Sequence, residues 1–301
     1  MKKIDFPEYV MNIPLTFGTG VKNNIWMEEM SEEELKIDLP KAIREMWEIY
    51  SFISGHAFVH LLPSPKECSL QDLVYVSNNG ILLHGLECPT YVGSNFHAQN
   101  RRGEERIGMD LFERMGYKTV QAPFHFEGEA EMKWIGGNRY VGGYGMRSDL
   151  KAFEWMEQEF GIQVIPVKLT DPYLYHLDCS VFPIQNETLI VSVDSFTKKE
   201  INQLEKVAEI IPISVEQAHT GLTNSVRVSN YILNGSDIDF LKKGTEDYRM
   251  EHSKNFRLEE IASKCGMEVC YFNMEEFLKG GGLLSCMVLN VNYQSYKTRL
   301  L

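Results

Sequence analysis

The segment Glu131-Met-Lys-Trp-Ile-Gly-Gly-Asn-Arg-Tyr-Val-Gly-Gly-Tyr-Gly145 contains the pattern that decides the fold. Two short runs of strand-forming residues flank a Gly-Gly-Asn turn signal, which is typical of a β-hairpin. Residues 150–160 follow with apolar side chains at helical spacing, and Asp149 stands where a helix would begin. The segment therefore predicts a unit in which a hairpin is followed by a helix.

Units of this kind recur along the chain at intervals of about 50 residues. Further hairpins are predicted from Asp72, His176 and Leu222, and a fifth strand element from Gly280, with residues 13–27 as the candidate to complete it. Helices are predicted over residues 40–52, 104–115, 150–160, 198–210 and 258–265.

Radial repetition of such units predicts one closed α/β domain with pseudo-fivefold symmetry. Pro40, Thr197 and the pair Lys254-Asn255 lie near the expected helix starts. No Pro/Gly/Ser-rich linker interrupts the chain, so we expect residues 1–301 to form a single unit. The charged stretch 237–255 does not fit the repeat and is interpreted as a long loop or lid.

The composition limits the classes of function. The chain has 301 residues, of which 44% are hydrophobic and 24% charged, which excludes disorder, collagen and coiled coil. It carries 30 Lys and Arg against 42 Asp and Glu, a net charge of −12, and no basic run that could neutralise phosphates. Nucleic acid is therefore excluded as an expected partner. A small cationic substrate suits the negative electrostatic field of the protein better.

No apolar stretch approaches the roughly 20 residues that span a bilayer, and the N-terminal residues lack the apolar core of a signal peptide. We therefore expect a cytoplasmic protein without a membrane partner. The six cysteines form no CxxC pair, which favours reduced thiols over disulfides or a zinc site, and no metal or cofactor is expected. The sequence leaves the oligomeric state open, a homo-oligomer included.

Polar residues occupy corresponding places in successive units. In a radial fold the same edge of every unit faces one axis, so these side chains are predicted to converge on one pocket. A thiol, an imidazole, carboxyls and amides would meet there, which predicts a nucleophilic site with a clamp for a cation. The residues are Asp72, Asn78, Glu127, His176, Asp178, Asn224 and Cys286.

Cys286 is the candidate nucleophile because three glycines at 280–282 precede it and allow close approach of backbone and ligand. The other five cysteines are interpreted as small core residues. His176 stands two residues before Asp178, and on one strand both would point to the same face. Glu127 lies among apolar residues, where a carboxylate requires a charged partner, whereas Glu129 and Glu131 are interpreted as solvated or as outer partners of the site.

Seven short motifs, in order along nearly the whole chain, resemble the guanidine-modifying superfamily. They are Asn24-Ile-Trp-Met27; Asp72-Leu-Val-Tyr-Val-Ser-Asn78-Asn-Gly80; Ser94-Asn-Phe96 followed by Arg101-Arg-Gly-Glu-Glu105; Phe126-Glu-Gly-Glu-Ala-Glu131; Gly143-Tyr-Gly-Met-Arg-Ser148; Asp171-Pro-Tyr-Leu-Tyr-His-Leu-Asp178; and Gly280-Gly-Gly-Leu-Leu-Ser-Cys286. Ile25 replaces the family proline, and Ala130 and Glu131 depart from its Gly-Asp. The resemblance implies a five-bladed α/β propeller, or pentein, of ββαβ-type repeats.

The resemblance also implies roles for the site residues. The Cys286 thiolate would add to the central carbon of a guanidinium ion, and His176 would protonate the departing amine and then activate water. Glu127 and Asp178 would pair with the guanidinium, and no metal is required. Arg101 and Arg147 would bind the α-carboxylate of the substrate. The remaining candidates for substrate binding are Asn24, Asn78, Asp72 and Asn224.

Among the members of the superfamily, Glu127 favours a hydrolase, since amidinotransferases typically have aspartate at that position. The run 171–178 and the pair Asn24 and Asn78 look most like arginine dihydrolases, which would yield ornithine, ammonia and carbon dioxide. An amide can both donate to and accept from a neutral ureido group, which fits a second hydrolytic round. The chain ends 15 residues after Cys286, so we expect only the hydrolase domain.

Several alternatives remain open at this point. A deiminase would stop at citrulline and ammonia, and an amidinotransferase would pass the amidino group to an amine. A non-catalytic binding protein on the same fold is a further alternative, although Cys286, His176 and Glu127 together argue against it. The sequence does not choose among arginine, N-methylated arginine, agmatine and peptide-bound arginine.

Overall fold

The computed structural model describes residues 6–65 and 68–297, so both ends of the expected unit 1–301 lie outside the described residues. The described chain contains five sheets of three strands each. The strands are β1 Glu8–Asn12, β2 Phe58–Leu62, β3 Gly80–Leu83, β4 Thr90–Gly93, β5 Lys118–Gln121, β6 Met132–Gly136, β7 Arg139–Tyr144, β8 Gln163–Lys168, β9 Val181–Gln185, β10 Thr188–Ser192, β11 Glu209–Ile213, β12 Val226–Val228, β13 Tyr231–Gly235, β14 Glu268–Phe272 and β15 Leu289–Asn290.

All five sheets share one strand pattern. Their orders are β15-β1-β2, β3-β4-β5, β6-β7-β8, β9-β10-β11 and β12-β13-β14. In each, the central strand pairs antiparallel with the first neighbour and parallel with the second. Because a parallel pair requires a crossover, each central strand is followed by at least one helix before its parallel partner. The fold is therefore α/β, built from five small mixed sheets.

The helices cover the sheets and begin at residues that suit helix starts. They are α1 Ile25–Glu29, α2 Leu39–Ser54, α3 Glu104–Arg114, α4 Leu150–Phe160, α5 Lys198–Leu204, α6 Val215–His219, α7 Glu246–Lys264, α8 Glu275–Leu278 and α9 Gln294–Lys297. Thr197 and Glu200 form a reciprocal capping box at α5, which satisfies two backbone N–H groups. Helix α4 ends at Phe160 and is followed by the capping residue Gly161, whose φ of +66° favours glycine.

The apolar core lies between each sheet and its helix. Around α4, for example, Phe153 and Met156 pack against Met132 and Tyr140 of the third sheet, and all four are buried. No helix in the described part of the chain is long and apolar enough to cross a membrane.

Three predicted hairpins are confirmed, those from Glu131, His176 and Leu222, and helix 150–160 has the predicted bounds. The hairpin predicted from Asp72 is wrong. Residues 72–79 form turns and a short 3₁₀ helix, Val76–Asn79, and β3 pairs instead with β4 farther along. The reason is that polar side chains of this segment are buried toward the site rather than alternating across a sheet.

The predicted strand in 13–27 is also wrong. The strand that pairs with β15 is β1, which ends at Asn12, and residues 25–29 form α1. Pro14 and the glycines at 18 and 20 disfavour a continuing strand. The strand element predicted from Gly280 is reduced to the two residues of β15, because residues 285–287 form a 3₁₀ helix.

Two helices have bounds that differ by several residues from the predicted ones, because tertiary contacts override the local signals in the sequence. The helix predicted over 198–210 ends at Leu204, since residues 209–213 form β11. The helix predicted over 258–265 begins at Glu246, after the capping residue Thr245, so Lys254-Asn255 is not its start. Residues 246–255 are thus helical, which corrects the loop or lid expected there. Apolar periodicity did not show this because the helix buries Lys254 and Asn255.

Candidate active site

Most of the predicted site residues lie around one cavity of about 20 Å³, which is roughly the room for one water molecule. Its lining residues are Asn23, Asn24, Asp72, Tyr75, Asn78, Arg101, Arg147, Tyr175, His176, Gly280, Gly282 and Cys286. The three other predicted residues, Glu127, Asp178 and Asn224, contact His176 or Cys286 directly. The structure thus brings together all ten residues that the sequence singled out.

Cys286 lies in the short 3₁₀ helix Ser285–Met287 rather than in a strand. Its Sγ is 3.5 Å from Nδ2 of Asn224 and 3.7 Å from Oδ2 of Asp178. Burial, with the negative charge of Asp178 as the next cause, raises the pKa of the Cys286 thiol to about 12. The thiol is therefore protonated at neutral pH, and a thiolate requires a positive charge beside it.

The three glycines before Cys286 are required by the side chains packed on them. A Cβ at Gly282 would lie 2.2 Å from Cε1 of Tyr75, and one at Gly280 would lie 2.4 Å from the Tyr75 hydroxyl. Gly281 has a φ of +78°, and a Cβ there would meet Asn24. The glycines thus permit close approach of Tyr75 and Asn24, and close approach of a ligand stays a prediction.

His176 and Glu127 form a buried pair, with Nε2 of His176 2.8 Å from Oε2 of Glu127. Burial by itself would raise the pKa of Glu127. The hydrogen bond and charge of His176, with the charges of Arg147 and Arg101, instead lower that pKa to about 2. Asn78 Nδ2 lies 3.4 Å from both ring nitrogens of His176. Glu127 is therefore a carboxylate partner of His176, and the Asn78 amide faces the same ring.

Asp178 does not share a strand with His176. Residues Leu177–Cys179 form a 3₁₀ helix, so the two side chains make separate contacts, His176 with Glu127 and Asp178 with Cys286. The hydroxyl of Ser285 donates to Oδ2 of Asp178. The expected shared strand face is wrong because this turn replaces the strand.

Asn224 holds the turn that carries the thiol. Its Oδ1 accepts a hydrogen bond from the Ser285 backbone N–H at 2.9 Å, and its Nδ2 faces Sγ of Cys286. The amide therefore contacts the nucleophile itself. Binding of substrate by Asn224 stays a prediction.

Asp72 and Arg101 also line the cavity. Asp72 Oδ2 accepts a hydrogen bond from Asn23 Nδ2 at 2.6 Å, and Oδ1 has no hydrogen-bond partner within the described residues. Arg101 donates from Nε and Nη2 to the carboxylate of Glu104, at 3.1 and 2.8 Å, and stacks on Phe96. One edge of its guanidinium is therefore already occupied inside the protein.

Arg147 lies between the Asn23 backbone and the catalytic pair. Its Nη2 donates to the backbone oxygen of Asn23, its Nη1 lies 3.9 Å from Oε1 of Glu127, and its guanidinium stacks 5.0 Å from the Tyr175 ring centroid. The side chain is mostly buried and fixed on several sides. Its geometry is that of a preorganised cation beside the cavity.

Asn24 caps helix α1. Its Oδ1 accepts from the Met27 backbone N–H at 3.0 Å, and its Nδ2 donates to the Gly280 backbone oxygen at 3.0 Å. Both ends of the amide thus support the loop before Cys286. The predicted contact between Asn24 and substrate is not tested by this geometry, which assigns the side chain a structural role.

The sequence analysis did not single out four residues that lie beside the predicted site residues: Asn23, Tyr75, Tyr175 and Ser285. Each lies beside or within a motif that had been singled out, which is the signal that could have found them. Tyr175, for instance, donates its hydroxyl to the Gly281 backbone oxygen at 2.7 Å and so holds the loop before the thiol. Across residues 6–65 and 68–297, no three His, Cys, Asp or Glu side chains are arranged to hold a metal ion.

Comparison with known proteins gives relatives across nearly the whole chain. The bifunctional arginine dihydrolase/ornithine cyclodeaminase AgrE of Nostoc sp. is 27% identical, over 94% of this chain and 37% of its own length. The chain thus spans little more than a third of that relative. N(G),N(G)-dimethylarginine dimethylaminohydrolase of Mycobacterium tuberculosis is 24% identical, over 94% of this chain and 85% of its own.

Solved structures share the fold. The N-terminal domain of ArgZ bound to product, from a cyanobacterial arginine dihydrolase, matches with a TM-score of 0.81 at 24% identity, covering 95% of this chain and 98% of that one. The unliganded AgrE structure matches with a TM-score of 0.80 at 26% identity, covering 95% of this chain and 39% of that one. The family model for N,N dimethylarginine dimethylhydrolase, eukaryotic, matches residues 14–293. With a match over that length, the chain belongs to the N,N dimethylarginine dimethylhydrolase family.

Proposed function

We propose that this protein is a cysteine-dependent hydrolase of guanidinium C–N bonds, with arginine or a derivative as substrate. The observation that carries the proposal is the convergence on one cavity of a buried thiol, Cys286, and a buried imidazole–carboxylate pair, His176 and Glu127. This combination supplies a nucleophile and a proton carrier. The names and structures of the relatives support the same chemistry.

The high pKa of the thiol fits activation by the substrate. A guanidinium ion beside Asp178 and Cys286 would compensate the negative charge that keeps the thiol protonated. The thiol proton passes to His176, whose charged form Glu127 stabilises, and the thiolate adds to the central carbon. His176 then gives the proton to the departing amine as its C–N bond breaks. It takes a proton from the water that adds to the thiouronium carbon and returns it to the sulfur of Cys286 as the C–S bond breaks.

The amino-acid end of the substrate would lie at Asp72, Arg101 and Arg147. The buried oxygen of Asp72 that lacks a partner suits an α-ammonium group, and the two guanidinium groups suit an α-carboxylate. Because Arg101 already shares one edge with Glu104, we assign the larger share of carboxylate binding to Arg147. This arrangement selects amino acids over decarboxylated amines.

The reaction is assigned to arginine dihydrolase. Asn78, a neutral amide, lines the cavity and lies within 3.4 Å of His176, where it can hold a neutral ureido group for a second round. Arginine labelled in the guanidino carbon tests the assignment: carbon dioxide with ornithine and no free citrulline supports it. Stoichiometric citrulline would instead identify a deiminase.

Hydrolysis of N,N-dimethylarginine is a second candidate, favoured by the family model that matches the chain. The two candidates differ in the amine released, ammonia or dimethylamine. Comparison of kcat/KM for arginine and dimethylarginine under identical conditions decides between them.

We also infer that the five sheets are the blades of a pentein propeller and that residues 1–301 act as one unit. Each of the five connections between successive sheets contributes to the site, through Asn78, Glu127, His176, Asn224 and Cys286. A radial arrangement is what brings such connections to one place. A single cooperative transition in urea, followed by both fluorescence and circular dichroism, would support one unit, and two separate transitions would refute it.

A further inference from the structure

Glu131 is a buried carboxyl directly before β6, and its side chain has no exposed surface. Its Oε2 accepts a hydrogen bond from the backbone N–H of Leu177 at 3.2 Å. Leu177 stands between His176 and Asp178, so this bond reaches the turn that carries both groups. Of the two expectations for Glu131, the burial contradicts solvation, and the bond to Leu177 agrees with an outer partner of the site.

The surrounding strand leaves room for this carboxyl. The backbone N–H of Gly143 on β7 donates to the backbone oxygen of Glu131 at 2.9 Å. A Cβ at Gly143 would lie 2.8 Å from Oε2 of Glu131 and 2.9 Å from Cβ of Leu177. Glycine at 143 is therefore required for the contact between Glu131 and the turn.

The electrostatic surroundings favour the neutral acid. Within the described residues no Lys, Arg or His nitrogen lies within 4 Å of Glu131. The charged groups that act on it are Glu127 from its own segment, Asp178 from the turn and Arg147 from the loop after β7. Burial, followed by the charge of Glu127, raises the pKa of Glu131 well above its ordinary value.

We propose that Glu131 is the positioning residue that sets the turn carrying His176 and Asp178. The proposal rests on the proposed function, in which His176 and Asp178 of that turn take part in the reaction. If Leu177 lost its acceptor, a buried N–H would be left unpaired, and the turn would relax toward another partner. His176 would then leave Glu127, and Asp178 would leave Cys286.

The first experiment compares Glu131→Gln and Glu131→Leu, with Glu129→Gln as the matched control. Gln is neutral and keeps an oxygen acceptor, so kcat should stay within about threefold of wild type. Leu removes the acceptor, so kcat should fall at least about tenfold as His176 is displaced, and KM should rise because Asp178 pairs with the guanidinium. Glu129 is an equally buried carboxyl but bonds to Asn290, and its variant should match wild type.

A second measurement does not depend on turnover. The rate of alkylation of Cys286 by iodoacetamide, located by peptide mass analysis across pH, reports the charge that Asp178 places beside the thiol. Glu131→Leu should raise that rate at pH 8, whereas Glu131→Gln and Glu129→Gln should leave it unchanged. A wild type that hydrolyses no guanidino compound would refute the proposed function, and this comparison would still test Glu131.

If the leucine variant does not fold, Gly143→Ala provides an independent test, since its methyl group displaces the same contact without changing Glu131. It should lower kcat and change the alkylation rate in the same direction. The proposal is overturned if Glu131→Leu or Gly143→Ala matches wild type in both measurements. It is equally overturned if Glu131→Gln changes kcat and the alkylation rate as much as Glu131→Leu does.

Discussion

Replacement of Glu127 by glutamine tests the catalytic pair most directly. The site lowers the pKa of Glu127 from 4.5 to about 2. At about 1.4 kcal/mol per pKa unit, this shift corresponds to about 3 kcal/mol of preference for the carboxylate. Glutamine has the same shape without the charge, so the interactions of the carboxylate with His176, Arg147 and Arg101 would lose stabilisation of this order. We expect kcat/KM for the guanidino substrate to fall by about 100-fold.

The assay is continuous detection of released ammonia under steady-state conditions, with Glu129→Gln as a control for loss of a buried carboxyl. A kcat/KM within about threefold of wild type would refute the role of Glu127 as the partner of the charged imidazole.

The substitution should also change how the stability of the fold depends on pH. Because the folded pKa lies below the unfolded one, ionised Glu127 stabilises the fold above about pH 4.5, and this contribution is lost as pH falls toward 2. Unfolding of Glu127→Gln should therefore depend less on pH in that window.

The remaining predictions concern the nucleophile, the amino-acid end and the amide. Cys286→Ser should retain binding of arginine by calorimetry and lose at least about 99% of turnover, because a hydroxyl does not ionise beside a cation as a thiol does; higher residual activity contradicts the nucleophile assignment. Arg147→Ala should raise KM for arginine about 10- to 100-fold, as expected for a lost charge-assisted bond, and Arg101→Ala less. Agmatine should be a poor substrate of wild type, and equal kcat/KM for agmatine and arginine would exclude both arginines from carboxylate binding. Asn78→Asp should release citrulline from labelled arginine, since a carboxylate favours the guanidinium over the neutral intermediate; unchanged ornithine formation would leave Asn78 without this role.

Local signals in the sequence were sufficient for much of the fold. Alternating apolar residues around short turns predicted the hairpins from Glu131, His176 and Leu222, because side-chain alternation is a local property of a strand. The signals failed where burial of polar groups replaced apolar periodicity. Residues 72–79 carry buried amides toward the site, and α7 buries Lys254, bonded to Glu251 and to the Gly235 backbone oxygen.

The candidate site, like the fold, could be predicted from the sequence only in part. The types of chemistry and their order along the chain were determined by the sequence alone: a thiol after three glycines, one imidazole, and carboxyls or amides at regular intervals. Only the tertiary structure decided which atoms meet. Cys286 and Asp178 are 108 positions apart and lie 3.7 Å from each other, whereas Arg101 pairs with Glu104 and Asn24 caps a helix. The physical reason is that hydrogen bonds and pKa shifts depend on distances of a few ångströms between distant segments, and periodicity specifies only the face on which a residue lies.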